Sequence, residues 1–164
     1  MIKTNWKKGF LIASLACLFL QMAGAVISIS LAMPAQVIID HSILSPNDAS
    51  QAIVAKEFIL SGTALAPPGT MMIVFALFLF IASRRGVLGV AGTILLSLQG
   101  ILFTFATMGE HVNPDRFPLM PGPIYTMLLS LNQASLVAVS ALGILTLVSK
   151  VVLLVRKRAQ SLKK

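Results

Sequence analysis

The sequence has few charged residues, which occupy 11% of its 164 positions, whereas hydrophobic residues occupy 57%. A soluble domain of ordinary composition carries about 25% charged residues. So few charges cannot cover the water-exposed surface of a globular protein. The composition therefore predicts that lipid surrounds most of the chain.

Cysteine is also scarce, since Cys17 is the only one and lies inside an apolar run. An intramolecular disulfide and dithiol redox chemistry are therefore excluded. The sequence has no glycine-rich phosphate loop before a lysine, no G-x-S-x-G and no charged residue deep within an apolar run. The first two absences favour a non-enzymatic role without deciding the question. The third argues against an ion-driven carrier.

Four apolar runs are present, at residues 9–39, 64–83, 87–108 and 123–155. A helix needs about 20 apolar residues to cross the hydrocarbon core of a bilayer. The first run exceeds the apolar region of a cleaved signal peptide, which has about 7–15 residues. The pattern predicts an all-α membrane protein, a four-transmembrane-helix antiparallel bundle. We expect a single integral membrane domain over 1–164, with a basic tail at 156–164.

Basic residues are distributed unevenly around these runs. Eleven of the thirteen precede the first run, separate the second from the third, or lie at the end of the fourth and beyond it. All five carboxylates lie in the other two connections: Asp40, Asp48, Glu57, Glu110 and Asp115. Because Lys and Arg in short loops resist translocation, this predicts a multi-pass plasma-membrane protein with both termini in the cytoplasm. The net charge of +8 then indicates contact with anionic lipid headgroups and no nucleic-acid partner.

The connection at 45–61 has the features of a short helix. Ser45 is a suitable cap and Pro46 a suitable first helical residue. Apolar residues then recur at helical spacing, namely Val54, Ala55, Phe58 and Ile59. We therefore expect a short amphipathic helix between the first two spans, lying on the outer membrane surface or continuing at an angle into the second span. Trp6 and Tyr125 are predicted to be interface anchors at opposite ends of the bundle.

Small residues at helical spacing predict where the spans touch, because close packing drives helix association in lipid. They are Gly24, Ser28 and Ala32 in the first span, Gly89, Gly92 and Gly100 in the third, and Ser130, Ala134 and Ala138 in the fourth.

Four amides lie within the spans, namely Gln21, Gln99, Asn132 and Gln133. An amide facing lipid would leave its polar groups unsatisfied, so all four should point inward. They are predicted either to form hydrogen bonds between helices or to line a polar path for a substrate.

Two acid–histidine pairs, Asp40-His41 and Glu110-His111, end the first and third runs on the predicted outer side. Several methionines lie near the same helix ends. Imidazole with thioether suits copper, and imidazole with carboxylate suits zinc. No H-x-x-x-H, C-x-x-C or M-x-M spacing assembles such ligands in advance. We therefore predict no cofactor and keep a copper or zinc site at the outer face as an alternative.

These observations favour a small, non-enzymatic membrane protein that serves as a subunit or accessory factor of a membrane assembly. Its partners would be the lipid bilayer and either other membrane subunits or further copies of itself. One alternative is a small-molecule transporter or channel formed by the bundle or its oligomer. The other is a metal-binding protein or membrane enzyme that uses the outer acid–histidine pairs.

Overall fold

The structure is a computed structural model that describes residues 6–35, 49–108 and 122–161, and these ranges contain five α-helices and no β-strand. The helices are α1 (Trp6–Ser30), α2 (Gln51–Ser61), α3 (Gly69–Ser83), α4 (Gly86–Met108) and α5 (Gly122–Ser161). Three of them are long and apolar enough to cross a membrane, over Trp6–Ser30, Gly86–Thr104 and Gly122–Val152. The fourth apolar helix, α3, is shorter, with 15 residues.

Helix α5 is the centre of the packing, because it lies against both α1 and α4, while α4 also packs along α3. Where these helices meet, apolar side chains form a fully buried cluster that includes Phe10 of α1, Phe75 of α3, Leu96 of α4 and Val139 of α5. Hydroxyl groups within this interior donate to the carbonyl one turn earlier in their own helix. Thr93, for example, donates to Gly89 at 2.6 Å. These bonds satisfy hydroxyls that have no water to contact.

Glycines bring α4 close to both of its neighbours. A Cβ atom on Gly92 would overlap the backbone of Ala82 in α3, and one on Gly100 would lie 2.6 Å from the Ser140 hydroxyl of α5. In return, Gly143 of α5 contacts Ser97 of α4 and Phe10 of α1. The prediction that Gly92 and Gly100 are contact residues is therefore confirmed.

The contact face predicted for α5 is wrong, because Ser130 and Ala134 are exposed. Helix α5 instead turns Leu136, Val139 and Gly143 toward its neighbours. The reason is that α5 carries small residues on two faces. Only the face with Gly143 matches the space that α1 and α4 leave.

The second apolar run is helical only from Gly69, although the sequence predicts a helix from Ala64. Two prolines, Pro67 and Pro68, immediately precede the helix, and Pro68 is its N-cap with φ −50° and ψ 138°. Proline has no N–H to donate and disfavours helical backbone in the residue before it. Residues 62–68, called here the 62–68 loop, are therefore not helical.

A helix is present between the first two runs, where one is expected. Helix α2 is capped by Ser50, whose hydroxyl accepts a bond from the Ile53 N–H at 3.4 Å. The predicted cap, Ser45, lies outside the described residues. Of the predicted apolar face, Val54 is buried within the described structure, whereas Ala55 and Ile59 are exposed. The amide of Gln51 donates to the carbonyl of Ser30 at 2.8 Å, which joins α2 to the end of α1.

At the opposite end of the bundle, basic residues from three parts of the sequence come together. The Lys7 ammonium of α1 donates to the carbonyls of Arg84 at 2.7 Å and Ser83 at 3.4 Å. Lys150 of α5 lies close enough to Lys7 for the two charges to repel each other. The Arg84 guanidinium stacks over the Phe80 ring, 4.2 Å from its centre. A cation at the end of α3 also complements the dipole of that helix.

Candidate functional site

The acid–histidine pairs singled out in the sequence, Asp40-His41 and Glu110-His111, lie outside the described residues. A copper or zinc site at these residues stays a prediction. Within residues 6–35, 49–108 and 122–161, no group of three or more His, Cys, Asp or Glu side chains could hold a metal ion.

The 62–68 loop is the most unusual feature of the described structure, because non-helical chain inserts between the apolar helices α1 and α5. Its tip, Leu65, lies directly against Gly24 of α1. A Cβ atom on Gly24 would be 2.6 Å from the Leu65 carbonyl oxygen. Glycine is therefore required at this position for the loop to enter.

The loop first closes on itself. The N–H of Thr63 donates to the carbonyl of Ala66 at 2.8 Å. The N–H of Ala66 returns a bond to the carbonyl of Thr63 at 3.4 Å and a shorter one to the Thr63 hydroxyl at 3.1 Å. Four backbone groups are thereby satisfied within a tight turn.

The surrounding helices satisfy the remaining groups of the turn. On the α1 side, the N–H of Ala64 donates to the Met33 carbonyl at 3.3 Å, and the N–H of Leu65 donates to the Ser28 hydroxyl at 3.2 Å. On the α5 side, the Tyr125 hydroxyl donates to the Ala64 carbonyl at 3.2 Å, and the Asn132 amide donates to the Leu65 carbonyl at 2.9 Å.

All eight backbone polar groups of Thr63–Ala66 thus have a partner. Complete pairing matters because irregular backbone at membrane depth is tolerated only where protein or a water-filled cavity satisfies it. Gly24 follows Lys7 by 17 residues in α1, which corresponds to about 25 Å along the helix axis. The loop is therefore well separated from the basic end of the bundle, by most of the thickness of a bilayer core, about 30 Å.

A cavity of about 130 Å³ adjoins the loop and is partly open to the outside of the bundle. One wall is the loop itself with Ala35 and Ser61, and the other walls come from α4 and α5. The helix residues that line it are Phe103, Tyr125, Leu129, Asn132 and Leu136. Its surface is mostly apolar.

The four amides occupy different environments. Gln21 is fully buried and donates to the sulfur of Cys17 at 3.3 Å, and Gln99 is 8% exposed and donates to the Met71 carbonyl at 3.0 Å. Asn132 and Gln133 are half-buried. Of the four, only Asn132 lines the cavity.

Three of these amides have a buried oxygen without a hydrogen-bond partner among the described residues. The atoms are Oε1 of Gln21, Oε1 of Gln99 and Oδ1 of Asn132. An amide oxygen can accept two hydrogen bonds, and leaving it unpaired in an apolar environment is unfavourable. The Asn132 oxygen is the one that belongs to a cavity-lining residue.

The role predicted for Tyr125, an anchor at the membrane–water interface, is wrong, because its side chain is 2% exposed. It instead packs with Met33 and Leu65 in a second buried cluster. The sequence signal that could have predicted this buried role is the Pro67-Pro68 pair, near the start of the second apolar run. These prolines leave 15 residues for the second helix and so imply non-helical chain that needs hydrogen-bond donors from elsewhere.

Comparison of the chain with family models, with curated proteins and with solved structures gives no match.

Proposed function

We propose that this chain is a four-span plasma-membrane protein with both termini in the cytoplasm, and that it acts as a non-enzymatic subunit or accessory factor of a membrane assembly. The meeting of Lys7, Arg84 and Lys150 at one end of the bundle supports this orientation, since basic residues are retained on the cytoplasmic side.

A fourth crossing is compatible with the short α3. Its 15 residues rise about 22 Å from the basic end. The 62–68 loop continues the path toward the other surface, and the backbone of Thr63–Ala66 is fully paired there. The α3 helix and the loop together can therefore cross where the helix alone is too short.

The orientation can be tested with epitope tags at either terminus and, as a matched control, within residues 109–121. In intact cells we expect antibody to reach only the tag at 109–121, and permeabilisation should expose both terminal tags. Antibody labelling of the N-terminal tag in intact cells would contradict the proposed orientation.

The observation that carries the assembly role is the outward face of α5. Thr126, Ser130 and Ala134 recur at four-residue spacing on this face and are exposed. Helices in lipid associate through such small-residue faces. Ser130 has no hydrogen-bond partner within the part of the chain that the structure describes, so its hydroxyl is available to a neighbouring helix.

Helix α5 also continues to Ser161, beyond the point where Lys150 lies beside Lys7. The helical path therefore extends past the basic end of the bundle and includes the Arg156-Lys157-Arg158 segment. A basic sequence on such an extension suits anionic headgroups or an acidic partner subunit.

The test compares the double variant Ser130→Leu/Ala134→Leu with Ala16→Leu, which places the same side chain on an exposed position of α1. After mild detergent extraction, we expect the wild type and Ala16→Leu to migrate on native gels as complexes larger than one chain. The double variant should migrate as a single chain. A wild type that is already a lone monomer would overturn the proposal.

The transporter alternative is less well supported. It requires a continuous polar path, whereas Gln21 and Gln99 are buried away from the cavity that Asn132 lines.

A further inference from the structure

A groove lies on the surface of the bundle between α1 and α3. Helix α1 packs mainly against α5, and α3 packs mainly against α4, so α1 and α3 leave between them an open groove of about 370 Å³. We call it the α1–α3 groove. Its wall is almost entirely apolar and is formed by Leu11, Leu15 and Leu18 of α1 and by Ala76, Leu79 and Phe80 of α3.

Two cations stand where the α1–α3 groove reaches the basic end of the bundle. Ser83 lines this end of the groove, and its carbonyl accepts a bond from the Lys7 ammonium, which also donates to the Arg84 carbonyl. The Arg84 guanidinium covers the ring of Phe80, a residue of the groove wall. Lys150 lies close enough to Lys7 for their charges to repel. The apolar groove therefore ends at a concentration of positive charge.

The described residues supply no negative side chain to balance this charge. The only side-chain carboxylate among them is that of Glu57 in α2. Helix α2 is attached to the opposite end of α1, through the bond from Gln51 to Ser30. Because like charges held close together repel, an anion from outside the chain would relieve the repulsion between Lys7 and Lys150.

The length of the groove indicates what is attached to such an anion. Leu18 follows Lys7 by 11 residues in α1, which corresponds to about 16 Å along the helix axis. Half of a bilayer core is about 15 Å thick. The apolar wall therefore extends from the level of the headgroups to about the middle of the membrane, as one acyl chain does. Because the groove is open along its side, a chain can enter it from the surrounding lipid.

We propose that the α1–α3 groove binds an anionic phospholipid of the cytoplasmic leaflet, with one acyl chain along the groove and the phosphate beside Lys7 and Arg84. Lysine and arginine form strong charge-assisted hydrogen bonds with phosphate oxygens. Basic pockets between membrane helices on the cytoplasmic side bind anionic headgroups. A phosphatidylcholine has the same chains, but its headgroup carries a cation that Lys7 and Arg84 repel. The choice of leaflet rests on the orientation proposed above, and the site is independent of the assembly role.

The probe is phosphatidylglycerol with a diazirine in its acyl chain, present as a minor component of phosphatidylcholine nanodiscs that hold the full chain. Light attaches the acyl chain to the side chains that it touches, and mass spectrometry locates them. We expect labelling at Leu15 of α1 and Ala76 of α3. Ile12 and Leu77 are the controls, because they are exposed on the same two helices but do not line the groove. Equal labelling of all four residues would overturn the groove as a site.

The second comparison tests recognition of the headgroup. Phosphatidylcholine with the same diazirine-bearing chain replaces the phosphatidylglycerol probe at the same mole fraction. Each cation near an anionic headgroup raises the affinity about fivefold, so two cations predict about 25-fold. We therefore expect the phosphatidylglycerol probe to label Leu15 and Ala76 about 25-fold more strongly, relative to the control residues. Equal labelling by the two probes would overturn the recognition of negative charge.

The third comparison uses Arg84→Gln and Arg85→Gln, which remove neighbouring exposed arginines. Arg84 is the one that stacks on the groove wall. Arg84→Gln preserves the contact between α1 and α3, because Lys7 binds the backbone carbonyl of that residue. We expect Arg84→Gln to reduce labelling of the groove by phosphatidylglycerol about fivefold and Arg85→Gln to leave it unchanged. Equal losses would assign the effect to diffuse surface charge and overturn the site.

The outcomes for this site and for the proposed function are distinguishable. The labelling pattern does not bear on the assembly role, which is tested at Ser130 and Ala134 of α5. The tag experiment tests the orientation separately. A basic end outside the cell would overturn the cytoplasmic leaflet as the source of the lipid, while the labelled residues would stay the same.

Discussion

Two regions of the bundle pack closely and satisfy their backbone hydrogen bonds in different ways. The first is the contact of α4 with its neighbours, and the second is the contact around the 62–68 loop. At the first, two regular helices satisfy their own backbones, and Gly92, Gly100 and Gly143 let them approach closely. At the second, the backbone is irregular, and side chains from α1 and α5 must supply the missing hydrogen bonds. The first contact depends on the absence of side chains, whereas the second needs polar side chains as well as a glycine at position 24. Removed polar groups should therefore harm only the second contact, and added atoms should harm the first contact and, at Gly24, the second.

The largest effect is expected at Gly62, where the backbone has a positive φ and there is no room for a Cβ atom. Its φ is +80°, and a Cβ atom there would lie 2.7 Å from the Ala66 carbonyl oxygen. Gly86 is the matched control, since its φ is +71° but a Cβ atom meets nothing within 4 Å. Left-handed backbone costs a non-glycine residue about 1–2 kcal/mol. We expect Gly86→Ala to lose about that much stability and Gly62→Ala to lose clearly more, measured by denaturation in mixed micelles. Equal losses would show that the loop is free to shift.

The next effect is expected at Gly92, in the glycine-dependent contact. Gly92→Ala adds a methyl group that would overlap the Ala82 backbone, and overpacking of this kind costs about 1–3 kcal/mol. Gly9→Ala is the control, because that position is exposed and open and alanine favours a helix there. The same denaturation assay should show a loss of stability only for Gly92→Ala. An unchanged Gly92→Ala would mean that α3 and α4 are not in close contact.

A smaller effect is expected where polar groups are removed from the loop contact. Tyr125→Phe takes the donor from the Ala64 carbonyl, and Asn132→Leu takes it from the Leu65 carbonyl. Hydrogen bonds between spans are worth about 0.6 kcal/mol on average and reach about 1.7 kcal/mol. We expect losses in this range, together with faster amide hydrogen exchange at Ala64 and Leu65.

The control for these two variants is Thr126→Val, which also removes a hydroxyl from α5. That hydroxyl is exposed, and among the described residues it bonds only to Gly122 in its own helix, at 2.9 Å. Its removal should leave exchange in the loop unchanged. Exchange that rises equally in Thr126→Val would assign the effect to α5 as a whole and not to the loop bonds.

The smallest effect is expected at the basic end. Lys7→Gln removes the charge that binds the Ser83 and Arg84 carbonyls. An exposed charge near a helix terminus contributes about 0.3–1 kcal/mol, and salt reduces this contribution. We expect a loss of stability in that range that shrinks at high salt, with the exposed Lys56→Gln as the control. A larger loss of stability that does not depend on salt would show that the basic end contributes as much to stability as the loop.

The sequence predicted the apolar helices well because their length and hydropathy are properties of local segments. It did not predict which side of α5 is buried. In lipid both faces of a helix are apolar, so periodicity does not separate the face with Ser130 and Ala134 from the face with Val139 and Gly143.

The 62–68 loop could not be predicted from the sequence for a different reason. Its hydrogen-bond partners Ser28, Tyr125 and Asn132 lie 37, 61 and 67 residues away from the backbone groups that they bind. No local pattern relates them. Pro67-Pro68 indicated that the helix begins late, but not what fills the space before it. The placement of the amides as hydrogen-bond donors to α3 and the loop likewise required the tertiary structure.

Helix α5 has 40 residues, or about 60 Å of unbroken helix. Tyr125 and Asn132 hold it near one end, and the Arg156-Lys157-Arg158 segment lies near the other. Because these two hydrogen bonds hold one side of α5, a continuous helix cannot rotate about its axis at its other end alone. The two bonds to the loop, together with the packing of Val139 and Gly143, therefore also determine the direction in which the cationic segment leaves the bundle.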